Sequence, residues 1–85
     1  MAPRVWDFQI DEFNEAEMAE HDVTPEEVWQ VLNSKWRVFR NHGPQADSQP
    51  YVLSGVTEGG RLLHIPIQPI EPEKGLWRPA TAFTP

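Results

Sequence analysis

From Tyr51 onwards, apolar and polar side chains alternate with a period of two. Tyr51, Leu53, Gly55 and Thr57 alternate with Val52, Ser54 and Val56, and Leu63, Ile65 and Ile67 alternate with His64, Pro66 and Gln68. Such alternation sends one set to a buried face and predicts two strands. Between them, Glu58-Gly59-Gly60 supplies two residues free to take positive φ, as a short hairpin loop demands. A longer turn, Pro69-Ile70-Glu71-Pro72-Glu73-Lys74-Gly75, leads to a third run from Leu76 to Phe83. The pattern predicts an antiparallel meander. Pro66, Pro69 and Pro79 fall inside it, and a proline has no N–H to give a ladder. The strands at Arg61–Ile67 and Trp77–Phe83 are therefore expected either to bulge locally or to point their amides at 66 and 79 outward.

Upstream, the signals are helical. Asp11 has the character of an N-cap for a helix over about Glu12–His21, whose apolar members Phe13, Ala16, Met18 and Ala19 form no single stripe. Thr24 and Glu27 are spaced as a capping box, Pro25 falls at the first helical position, and Val23 and Val28 are spaced as a hydrophobic staple. Val28, Val31 and Leu32 give this second helix its inward stripe, and it should end near Asn33-Ser34. Trp36 to Arg40 reads as a strand, with Trp36 and Val38 on one face and Arg37 and Phe39 on the other. Residues 41–50 are rich in turn formers, and Arg4 to Phe8 suits a short first strand with Val5 and either Phe8 or Trp6 facing in. Helices followed by strands imply one α+β domain over residues 1–85. Two N-terminal helices are expected to pack on one face of an antiparallel sheet of four to five strands.

Charge changes the picture. The net charge is −6, but residues 5–34 carry nine acids and no Lys or Arg, whereas residues 35–85 carry six bases against four acids. The whole molecule should repel nucleic acid at long range, and only a patch on the second half is suited to phosphate. With no cysteine there is neither a disulfide framework nor a thiolate metal site. His21, His42 and His64 lack ligand spacing, so no metal and no cofactor is expected. No apolar run approaches the length of a membrane span, and the chain reads as soluble and cytoplasmic, with no membrane partner.

Three stretches together resemble a known family: Ala19-Glu20-His21-Asp22-Val23-Thr24-Pro25-Glu26-Glu27, then Gly55-Val56-Thr57-Glu58-Gly59-Gly60-Arg61-Leu62-Leu63, then Arg78-Pro79-Ala80-Thr81-Ala82. The arrangement, over about residues 10–83, is similar to the BrnT family, small toxins of bacterial type II toxin–antitoxin pairs with a RelE-like fold and ribonuclease activity. The resemblance implies a metal-independent endoribonuclease, an RNA substrate and an antitoxin protein partner. Arg61 and Arg78 match arginines of the family pattern. Asp22 stands where the family has a helix-ending glycine, Val56 where it has an arginine, and Phe83 where its last arginine falls.

Cleavage of RNA without a metal needs a base for the 2′-hydroxyl, charge stabilisation at phosphorus and an acid for the leaving oxygen. Arg61 and Arg78 suit the second role, because a guanidinium stays charged and presents a planar fork to phosphate. His64 is the candidate proton carrier, although a regular strand turns it to the face opposite Arg61. His42 and Tyr51 have suitable chemistry, and no spacing selects either. Two readings follow: a divergent BrnT-like toxin acting as a weak or lapsed ribonuclease through Arg61, Arg78 and His64, or a non-catalytic protein-interaction module that keeps the toxin fold without its chemistry.

Overall fold

The computed structural model describes residues 3–85. Along the chain come β1 (Asp7–Phe8), α1 (Glu12–Glu20), α2 (Pro25–Leu32), β2 (Trp36–Arg40), β3 (Tyr51–Val56), β4 (Leu62–Glu71) and β5 (Leu76–Pro79). The strands form one sheet in the order β1-β5-β4-β3-β2. Neighbours from β2 to β5 are antiparallel, as the alternation predicts, but β1 runs parallel to β5, so the sheet is mixed rather than wholly antiparallel. The first strand arrives from one end of the molecule, and two helices intervene before the meander begins. Its direction is therefore not tied to β5 by a hairpin.

Leu53, Leu63, Ile65, Ile67 and Trp77 line the inner face, and Val28, Val31 and Leu32 of α2 pack on it. A Cβ on Gly55 would lie 2.8 Å from Val31 Cγ1, so glycine is what lets α2 approach β3 this closely. The Thr24–Glu27 capping box forms in both directions, with Pro25 in the first turn. Val5 and Phe8 turn inward, whereas Trp6 is 72% exposed and lies against Gly75.

The hairpin between β3 and β4 closes through Thr57 N–H to Arg61 C=O at 2.9 Å and Arg61 N–H to Thr57 Oγ1 at 3.1 Å. Of its two glycines, only Gly60 takes positive φ, at 85°. A three-residue loop needs a left-handed residue at its third position alone.

The prolines are accommodated by breaks in β5's side of the ladder. The register shifts between Pro69 and Glu71. Opposite Pro66, which has no N–H to donate, the facing chain leaves the ladder after Pro79 and rejoins it where Phe83 bridges His64. Ala80 N–H still reaches the Pro66 carbonyl at 2.9 Å. The run expected from Leu76 to Phe83 is thus a four-residue strand and a separate bridge.

α1 ends in a paired-bond cap. Val23 N–H donates to Met18 C=O at 2.9 Å and Asp22 N–H to Ala19 C=O at 3.0 Å, while Asp22 takes φ 59°. This is the Schellman arrangement, and Val23 and Met18, both buried, supply its apolar contact. An aspartate tolerates the left-handed region at a cost that glycine avoids. Asp22→Gly should therefore stabilise the protein by up to about 1 kcal/mol, read as a melting temperature a few degrees higher.

Candidate functional site

α1 has little apolar surface to dock with. Only Asn14 and Met18 are buried along it, and Phe13 is 70% exposed. Asn14 is held by hydrogen bonds: its Nδ2 donates to Gln9 C=O at 2.9 Å, and its Oδ1 accepts from Asp11 N–H at 2.8 Å. The latter completes a capping box with Asp11, whose carboxylate accepts from Phe13 and Asn14 N–H. The helix is then gripped at both ends by arginines, one from the β3–β4 hairpin loop and one from β5.

At its C-terminal end, the Arg61 guanidinium donates to the carbonyls of Asp22 at 2.6 Å and His21 at 3.1 Å, and to Glu27 at 3.3 Å. It sits where α1 presents carbonyls at its C-terminal end, which favour a cation, and beside the Glu27 carboxylate in the first turn of α2. At the N-terminal end, Arg78 Nε donates to Asp11 Oδ2 at 2.8 Å and its Nη2 to Asp11 Oδ1 at 3.2 Å, while Nη1 donates to Gln68 Oε1 at 2.6 Å. This is a forked guanidinium–carboxylate pair. A nine-residue helix is about 13 Å long, so the two guanidiniums are not brought together. Each is already occupied.

The carboxylate of Asp11 is held down to about 2, from 3.8, chiefly by the Arg78 hydrogen bond and then by the Asn14 amide. A carboxyl with a lowered native pKa contributes stability in full above its unfolded value and loses it as pH falls through the native value. The contribution of Asp11 should therefore persist at pH 4–5 and fade towards pH 2. Asp11→Asn keeps a capping side chain but no charge. Wild type should exceed it in urea midpoint at pH 5, and the difference should shrink at pH 2.

His64 lies on the outer face of the sheet, away from the helix layer into which Arg61 turns. Its ring is edge-on to Phe39 at 5.7 Å and to Phe83 at 6.0 Å, and Phe83 in turn lies 5.9 Å from His21. The His64 backbone exchanges hydrogen bonds with Phe83 at 2.8 and 3.0 Å. Of the other proton-carrying candidates, His42 is exposed in the 41–50 loop, and Tyr51 packs edge-on to Trp77 at 5.8 Å. Among the described residues, no three His, Asp or Glu come together as a cation site.

No family model, curated protein or solved structure matches the chain.

Three surface features accompany these residues. A shallow groove of about 800 Å³ runs between α1 and the 41–50 loop, lined by Phe13, Glu17, Gln45, Gln49, Gln68 and Arg78 among others. The rings of Phe39, His64, Phe83 and His21 form a row that runs from the outer face of β2 and β4 to the end of α1. Alternation places Phe39 and His64 outward, but the Phe83 bridge that joins them to His21 depends on the break opposite Pro66. The open edge of the sheet, β2, carries exposed Arg37, Phe39 and Arg40.

Proposed function

We propose that the protein is a non-catalytic protein-interaction module, a divergent relative of the BrnT-like toxins that keeps a RelE-like fold without the nuclease chemistry. The observation that carries this reading is the engagement of both arginines. A ribonuclease of this design needs two guanidiniums free to meet one phosphate. Arg61 instead closes the α1–α2 junction, and Arg78 holds the N-cap of α1. Releasing either would leave a carboxylate or helix carbonyls without their partner. The net charge of −6 adds to this, since affinity for RNA leans on phosphate neutralisation. The helix pair ahead of a four-strand meander supports the RelE-like reading of the fold.

Incubation of the folded protein with single-stranded RNA tests the proposal. The RNA should remain intact, and Arg61→Ala and Arg78→Ala should each lower the melting temperature. Cleavage that both substitutions abolish, with no loss of stability, would overturn it.

A further inference from the structure

β2 ends the sheet on one side, and nothing among the described residues pairs with its outer edge. Asn41 N–H donates to Pro50 C=O at 2.9 Å. With the β2–β3 register and the alternation of antiparallel pairs, Arg37 and Phe39 then direct their backbone groups to β3. Those of Val38 and Arg40 point to the open side. Such an edge is a template for another strand.

The side chains around it are of one sign. Lys35, Arg37 and Arg40 are exposed, and none of them is in an ion pair among the described residues; the pairs formed are Arg61–Glu27, Lys74–Glu71 and Arg78–Asp11. Arg40 lies over the Tyr51 ring at 5.7 Å. Phe39 is 46% exposed beside Arg37 on the outer face, and Val56 and Leu62 are exposed further along the same face. In a molecule of net charge −6, this edge is a local basic and apolar strip.

Resting on the interaction-module reading, we infer that β2 is a docking edge for an extended acidic segment of a partner protein, which joins the sheet as a sixth strand. Charge complementarity selects the occupant. A second copy pairing through its own β2 would set cation against cation, and a basic segment would meet the same repulsion. Period-two geometry also gives the partner a pattern. Opposite Arg37, Val38, Phe39 and Arg40 it presents an acid, two apolar residues and an acid, so that each face of the added strand meets one cation and one apolar side chain. Nucleic acid would find the cations, but it has no alternating N–H and C=O groups to match both the amides and the carbonyls of Val38 and Arg40.

The probe is an octapeptide in which two glutamates flank two valines, with threonines elsewhere. Its control has equal charge and prolines in place of the valines. On titration, the Val38 and Arg40 amides should gain about tenfold protection from hydrogen exchange, with those of Arg37 and Phe39 unchanged. The proline peptide should give none. Lys35→Glu combined with Arg37→Glu should weaken binding by about tenfold or more at an unchanged melting temperature, since neither residue is in an ion pair. Equal binding of both peptides, or no binding by either, overturns the docking edge. So does self-association abolished by the double variant, which would make the occupant a second copy, or a shift of the β2 amides by RNA and not by peptide. The same RNA sample separates the two claims: cleavage there defeats the module reading itself, whereas intact RNA with no peptide binding defeats only this partner.

Discussion

Met18→Ala is expected to destabilise the protein by about 2–5 kcal/mol, the range for truncating a buried methionine to alanine, and to lower the melting temperature by about 10 °C or more. Met18 is fully buried and is the one apolar side chain that α1 sends into the core. It also faces Val23 across the helix-ending cap, so its loss weakens the cap as well as the core. Thermal unfolding of the variant checks the size. Hydrogen exchange checks the place: the amides of α1 should lose protection before those of β3 and β4, whose inner face keeps Leu53, Leu63, Ile65 and Ile67. A variant as stable as wild type would mean that α1 is held by something other than its ends and this one side chain.

Arg61→Ala should cost about 1.5 kcal/mol, the low end of the range for hydrogen bonds made by a charged group. The Arg61 and Glu27 side chains are 29% and 24% exposed, so water screens part of the pairing. The bonds to the Asp22 and His21 carbonyls lie at the surface, where water can replace them, so they add less than the part-buried contact with Glu27. Arg61→Lys should recover only part of the loss: a lysine brings the charge but not a fork that spans two carbonyls and a carboxylate. Equilibrium denaturation of the three proteins reads both effects, and an Arg61→Ala protein with the wild-type midpoint contradicts the role.

Much of the architecture is written locally. Thr24, Pro25 and Glu27 mark the start of α2 within four residues, and the alternation in β3 and β4 identifies the inner face before any contact is known. Asp11 announces the start of α1, and the missing apolar stripe foreshadows a helix held by other means. What local pattern cannot carry is long-range pairing. Arg61 meets Glu27 from 34 residues away, and Arg78 meets Asp11 from 67. A strand arginine reads the same whether it faces solvent, phosphate or a carboxylate. The parallel β1 was illegible for a similar reason: two residues are too few for a period, and their partner lies at the far end of the chain. Asn14 had a weaker signal that could have been used, since an amide three residues after an Asp cap is spaced for a capping box.

Loss of the clamps can be observed residue by residue. In Arg61→Ala combined with Arg78→Ala, native-state hydrogen exchange should show the amides of α1 opening about tenfold or more faster relative to those of β3 and β4. If α1 keeps its protection while both guanidiniums are gone, the arginines do not hold the helix, and their pairing with Glu27 and Asp11 is incidental to the fold.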